Sequence, residues 1–390
     1  MRVLIWATTF GGDLWSFTRY LDQRSDVEVK VVMGDPRGYS QEPVASLFPL
    51  QGELIKRGLT NDLLGPPSFR PHVTVLDNRV PLRATSKAGL VLWHGFGWKG
   101  PNDRKEFRFL HADLKRAWGD PLSPNPNFRW QCFGPFDFEH RTKISGFHPT
   151  NCRLIGAASH DDLRMPLDRK ILDRYYEFDV AGRKTVLLAP TWHYGEVFAH
   201  WGRDADLFEQ LIQRLADRQA NLILRLHDSF RFPRKYVQWL RGLARTHKHV
   251  LVKFKDECPD NYLDLQVADV LLTNYSSIAN LFYATGRPTI HIYPVRHADE
   301  AFMWRQQTLL GTRTKKIDRA KYIWKLPPED NGGLLAKSFR ELLNHLDQAL
   351  DDPRCCETQA QDFLDRHMMG GDGRACERAF GVLQELVDQN

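Results

Sequence analysis

Short apolar runs alternate with longer amphipathic stretches along most of the chain, and that alternation sets the fold class. In the first half, runs rich in Val, Ile and Leu predict strands over Val3–Ala7, Val27–Met33, Val73–Leu76, Gly89–Trp93, Trp130–Phe133 and Arg153–Ala157. Helical spacing marks Leu14–Leu21, and a Pro-rich loop covers Asp120–Pro126. In the second half the alternation is cleaner, with strands over Thr185–Ala189, Leu222–Leu226, Val250–Phe254, Val270–Thr273 and Thr289–Ile292. Helices fall between them at Asp206–Arg218, Pro233–Thr246, Asn261–Gln266 and Ser276–Ala284. Helices at Leu334–Leu350 and Arg374–Val387 follow. Strands joined by helices run parallel, so the expectation is α/β with two doubly wound, Rossmann-like domains. The polar stretch Asp179–Lys184 is read as the linker, dividing the chain into residues 1–178 and 179–390. Two such domains facing across a cleft would bind ligands at the carboxyl ends of their strands.

Composition narrows the function classes. The 390 residues are 42% hydrophobic and 26% charged, as in ordinary soluble proteins, with a net charge of +6. That mild excess suits an anionic substrate or an acidic membrane surface. No RNP motif, zinc-finger spacing or long basic arm points to nucleic acid. The six cysteines form no C-x-x-C pair, so neither a zinc site nor a disulfide framework is expected, and a reducing cytoplasm is the simplest compartment. No apolar stretch approaches the roughly 20 residues of a membrane span. From Arg104 to Trp118, however, Phe107, Leu110, Leu114 and Trp118 recur at helical spacing among Arg104, Lys105, Arg108, Lys115 and Arg116. A basic amphipathic helix of this kind either lies on anionic lipid or packs on the core.

The candidate chemistry sits where strands end. The sequence ADVLLTNYSSIANLFYA over Ala268–Ala284 reads as strand, small polar turn and helix. Thr273, Asn274, Ser276 and Ser277 would meet a phosphate at that helix start, or Ser would simply cap the helix. Trp93-His94-Gly95, followed by Lys99, offers a general base and a cation. Thr191, after Ala189-Pro190, can bind an oxygen or mark a plain exit from the strand. Arg225 and His227 share one face of a strand end and suit a pyrophosphate, with an Arg–Asp pair beside a bystander His as the structural alternative. Asp372-Gly373-Arg374 offers a carboxylate, free backbone and a cation before the last helix, or a glycine hinge. No metal motif or cofactor fingerprint is present, and no cofactor is expected.

The order of these motifs resembles the CDP-glycerol glycerophosphotransferases, the teichoic-acid primases and polymerases of bacterial walls and capsules. W-H-G-x-x-x-K at Trp93–Lys99, A-P-T-W at Ala189–Trp192, a strand ending in His227, A-D-V-L-L-T-N-Y-S-S at Ala268–Ser277 and D-G-R-A at Asp372–Ala375 carry the resemblance. It implies a GT-B architecture with an N-terminal acceptor domain and a C-terminal nucleotide domain. It further implies attack by an acceptor hydroxyl on the β-phosphorus of CDP-glycerol, with release of CMP. By match, His94 is the base, His227 stabilises the phosphate, and Ser276 and Ser277 bind the pyrophosphate. Lys99, Thr191, Arg225, Thr273, Asn274, Asp372, Gly373 and Arg374 join them as donor-site candidates. A wall-polymer, glycan or lipid-linked acceptor and peripheral contact with the inner face of the cell membrane follow from the same resemblance. Three positions depart from the family pattern: Asn274 for Asp, Asp228 for Pro, and His193 for Arg. They keep CDP-ribitol, another CDP-polyol, and a GT-B glycosyltransferase with a nucleotide-sugar donor as alternatives.

Overall fold

A computed structural model of the chain describes residues 1–42, 44–93, 95–100, 104–191, 197–198, 201–258, 262–274, 276–293, 302–308, 311–317 and 323–389. Two compact units emerge. The first holds Met1–Phe96, Pro101–Met165 and Phe363–Asn390, and the second holds Gly97–Gly100 and Pro166–Asp362.

The sheet of the first unit contains β1 (Arg2–Trp6), β2 (Glu28–Met33), β3 (Glu53–Lys56), β4 (Val73–Leu76), β5 (Ala88–Val91), β6 (Phe128–Cys132) and β7 (Cys152–Leu154). They lie in the order β3-β2-β1-β4-β5-β6-β7, all parallel. Alternation along β6 shows how the sheet is covered. Phe128, Trp130 and Cys132 pack with Leu110, Leu114 and Trp118 of the helix Arg108–Trp118. The intervening Gln131 bonds Asp13 of the helix Gly12–Asp22, and Arg129 bonds Glu385 of the helix Ala375–Asp388. Helices therefore cover both faces. Gly89 permits the closest of these approaches, because a Cβ there would meet the Trp118 ring at 2.7 Å.

The amphipathic helix expected around Arg104–Trp118 is thus a core helix. Its apolar side chains Phe107, Leu110, Leu114 and Trp118 are buried against the sheet and not presented to lipid. No described helix is long and apolar enough to cross a membrane.

The second sheet contains β8 (Thr185–Leu188), β9 (Asn221–Leu226), β10 (Val250–Phe254), β11 (Val270–Thr273), β12 (Thr289–Ile292) and β13 (Leu334–Ala336). Its order, β10-β9-β8-β11-β12-β13, is the Rossmann order, again all parallel. Leu222, Leu224 and Leu226 face the helices Asp204–Asp217, Arg234–Thr246 and Phe339–Asp351, while Arg225 points the other way, to Asp264 in the helix Tyr262–Val267.

Three features differ from the sequence reading. Residues 53–56 form a strand that the Lys- and Glu-bearing segment does not announce. Leu334–Ala336 is a strand and not the first turn of the following helix, which starts at Phe339 behind a Ser338 side-chain cap. The expected division at 178/179 also differs from the observed units. Arg169 bonds Asp269, Val180 and Arg183, and Tyr176 bonds Asp264, so residues 166–184 belong to the second unit and are no linker. The last helix returns to the first unit, where Glu385 accepts from Arg129 and Arg153.

Candidate active site

Three strands of the second sheet deliver side chains to its carboxyl edge. β8 ends at Leu188 and leads to Thr191, β9 ends at Leu226 and leads to His227, and β11 ends at Thr273 and leads to Asn274, Ser276 and Ser277. The neighbours β8 and β11 are stitched beyond their ladder. Thr273 Oγ1 donates to the Ala189 carbonyl at 2.7 Å, and the Thr191 N–H donates to Asn274 Oδ1. Both Thr273 and Asn274 are buried. The Asn274 carboxamide thus keeps the accepting oxygen that Asp would offer, but without its charge.

Thr191 Oγ1 is itself buried and has no hydrogen-bond partner among the described residues. Ser277 precedes the helix Ile278–Tyr283 but makes no side-chain cap bond. Neither serine hydroxyl bonds another described residue, and both side chains are half-buried. Ser277 therefore does not cap this helix through its hydroxyl.

His227 is held by its own loop. Its Nδ1 accepts from the Asp228 N–H at 2.8 Å and from Arg231 Nε at 2.9 Å, and that same Arg231 group reaches Asp228 Oδ2 at 3.0 Å. Proline at position 228 would lack the N–H that fixes the ring. Asp228 Oδ2 also lies 2.7 Å from Nδ1, so the same nitrogen is flanked by two N–H donors and a carboxylate oxygen. Burial pushes the imidazole pKa down, opposed by the Asp228 carboxylate 2.7 Å from Nδ1 and reinforced by Lys255 and Arg231. The net direction is down, toward the neutral ring. Burial would raise the Asp228 carboxyl, but His227, Arg231 and Lys255 outweigh it and hold it at about 2. Replacing Asp228 by Asn removes the one group pulling the ring up. The ring pKa, followed by NMR, is expected to fall further below 6.5.

Arg225 has a different role from the one its position suggests. Its guanidinium is buried, donating to Asp264 Oδ2 at 2.9 Å and to the Cys258 carbonyl at 2.8 Å. Asp264 also accepts from Lys253 Nζ at 2.6 Å and from the Tyr176 hydroxyl at 2.8 Å. Arg225 and Lys253 are register partners on β9 and β10, so one buried carboxylate holds two neighbouring cations together. These bonds tie Arg225 into this cluster.

The remaining candidates divide between the units. His94 lies outside the described residues. Trp93, before it, packs on Trp130 and Phe107 in the first unit. The backbone of Lys99 pairs with Trp324, and Trp98 is buried against Tyr283 and His291, so the end of the W-H-G-x-x-x-K motif is built into the second unit. Asp372, Gly373 and Arg374 belong to the first unit. Asp372 accepts from the Arg374 N–H and from Arg378, Gly373 takes φ +74°, and Arg374 pairs with Glu377. These bonds build the turn into the last helix. Residue-by-residue reading missed Arg231 and Asp264. Arg231 was visible as a cation four residues after His227, whereas nothing local links Asp264 to Arg225.

The profile of the CDP-glycerol:poly(glycerophosphate) glycerophosphotransferase family matches residues 136–297. That is the family this chain resembles. The matched segment runs from the end of the first sheet through β12 and contains Thr191, Arg225, His227, Asn274, Ser276 and Ser277. No curated protein matches the chain. Among solved structures, the wall teichoic acid polymerase TagF soaked with CDPG is similar with a TM-score of 0.66 at 14% identity, over 99% of this chain and 89% of that one. Staphylococcus aureus MnaA with UDP gives a TM-score of 0.53 at 12% identity, over 100% and 98% of the two chains. Similarity at such identities concerns the fold, which is the expected GT-B class with two parallel α/β units.

Proposed function

We propose that this glycerophosphotransferase-like chain moves glycerol phosphate, or another polyol phosphate, from a CDP-polyol to a hydroxyl of a wall or capsule polymer or of its lipid-linked precursor. The observation that carries this reading is the edge formed by Thr191, His227, Asn274, Ser276 and Ser277 inside the matched segment. It gathers uncommitted hydroxyls and a neutral imidazole at the end of a Rossmann sheet, where phosphates bind. In the reaction, the acceptor oxygen forms a bond to the β-phosphorus and the bond from that phosphorus to the bridging oxygen breaks. The bridging oxygen leaves with CMP, and the acceptor proton passes to the base, assigned to His94. Phosphoryl transfer needs positioning and charge stabilisation more than covalent help. Ser276, Ser277 and Thr191 would hold the pyrophosphate, and the His227 imidazole, anchored at Nδ1, would stabilise the oxygen that gains charge.

The test is donor turnover with the purified protein and a short poly(glycerol phosphate) acceptor, offering CDP-glycerol, CDP-ribitol and UDP-sugars in turn. Release of CMP from a CDP-polyol, reduced about 10²–10⁴-fold in His94→Ala, is the expected result. Release of UDP from a nucleotide sugar would replace this reading by glycosyl transfer.

Peripheral contact with an anionic bilayer belongs to the same proposal, but at a different place from the Arg104–Trp118 helix. Leu59, Leu63, Leu64 and Leu82 are exposed, and the Arg83 N–H, bonded to the Asp62 carbonyl, holds residues 82–83 beside the helix Leu59–Leu64. Exposed leucines next to arginine suit an acidic lipid surface. Leu63→Asp with Leu64→Asp is expected to abolish co-sedimentation with phosphatidylglycerol vesicles while leaving the melting temperature unchanged.

A further inference from the structure

The carboxyl edge of the first sheet holds a pair of buried polar atoms that the donor chemistry does not use. Arg57 follows β3, and its N–H donates to the Met33 carbonyl at 2.6 Å, which pins it to the strand end. Asp62 lies in the adjacent helix Leu59–Leu64 and is only 7% exposed. Arg79 comes from the loop after β4, with Nη2 4.0 Å from Asp62 Oδ2. Arg57 Nη1 and Asp62 Oδ1 are both buried and both without a hydrogen-bond partner among the described residues. Buried polar atoms are normally paired, so one orphaned donor and one orphaned acceptor in the same loop cluster call for a partner that both accepts and donates. A hydroxyl does so, and a hydroxyl beside a phosphate also answers the second guanidinium.

We propose that Arg57, Asp62 and Arg79 bind a polyol phosphate, its phosphate oxygens accepting from the two guanidiniums and a neighbouring hydroxyl donating to Asp62. Burial and the nearby charge of Arg79 push the Arg57 guanidinium below its ordinary pKa, which an anion between them would relieve. Asp77, the other carboxylate near Arg57, is committed to the Thr8 and Thr9 N–H groups at 2.9 and 2.7 Å. A glycerol phosphate or ribitol phosphate unit carries both required groups on adjacent carbons. Naming this site as the acceptor's rests on the function proposed above; the binding chemistry does not.

Two measurements on the full chain separate the two claims. The first is equilibrium binding of glycerol 3-phosphate, inorganic phosphate and glycerol, without donor. The expected order has glycerol 3-phosphate tightest, inorganic phosphate weaker and glycerol weakest. Arg57→Gln should weaken both phosphates about tenfold, and Asp62→Asn should weaken glycerol 3-phosphate alone. The second is steady-state kinetics, in which Arg57→Gln should raise the acceptor KM about tenfold with kcat and the CDP-polyol KM unchanged. Unchanged glycerol 3-phosphate binding in Arg57→Gln, or equal binding of glycerol alone, would mean that water fills the gap and would overturn the site. Binding lost in Arg57→Gln from a wild type that releases no CMP would keep the site and overturn the transferase reading. Should Arg57→Gln not fold, Arg57→Lys keeps the charge and loses the fork. It is then expected to weaken glycerol 3-phosphate binding, and unchanged binding would again overturn the site.

Discussion

His227→Ala is expected to lower the rate of CMP release from CDP-glycerol about 10²–10³-fold, with the melting temperature of the protein nearly unchanged. The loss belongs to the transition state. Burial pushes the ring pKa down, toward the neutral form, and the Asp228 and Arg231 contacts at Nδ1 hold the ring in one place. A ring fixed before the reaction begins costs no reorganisation as charge moves onto the phosphate and the departing CMP. The signature is therefore a fall in kcat with the donor KM changed little. His227→Gln, which keeps a donor but not the fixed ring, should recover part of the rate. A rate unaffected by His227→Ala would remove this residue from the mechanism.

Asp264→Ala is expected to destabilise the second unit by about 3–5 kcal/mol, because it leaves Arg225 and Lys253 buried or half-buried without their shared counter-charge. Thermal or urea unfolding measures it directly. The pH dependence carries a second check. Burial alone would raise the Asp264 carboxyl, but Lys253 and Arg225 together hold it below its ordinary value. A carboxyl depressed in the folded state contributes stability that is present above its unfolded pKa of roughly 4 and is lost as the pH falls through the lower folded value. The wild type should therefore lose stability on acidification below about pH 4, and Asp264→Asn should lose less over the same interval. Glu385, whose burial is outweighed by Arg153 and Arg129 so that it sits at about 2, adds a contribution of the same sign in the first unit.

Much of the architecture was legible because parallel strands buried on both faces read as continuous apolar runs. The strands Val73–Leu76, Val250–Phe254, Val270–Thr273 and Thr289–Ile292 fall where the runs do. The strand Glu53–Lys56 lies at the sheet edge with none of its four side chains buried, so it carries no such signal. Candidate residues that follow strand ends, such as His227 and Asn274, were visible from the motif order. Arg225 was visible too, but its use was not, since the carboxylate that claims it lies 39 residues further along. Helical periodicity located the Arg104–Trp118 face without saying what covers it, and the sheet does. The turn at Asp372–Arg374 reads as a ligand-binding motif in the sequence, while its bonds serve the start of a helix.

The return of the last helix to the first unit bears on how the protein is made. Residues 375–388 cover the face of the sheet that carries Arg129 and Gln131, and Arg129 and Arg153 find Glu385 only there. During synthesis the first unit begins before the second and is completed after it, because its sheet waits for a helix translated more than 200 residues after β7. The nascent chain must carry that uncovered surface while the whole second unit is made. Shielding by a holding chaperone, or slow post-translational closure, is the cost of a domain whose two ends are so far apart in time.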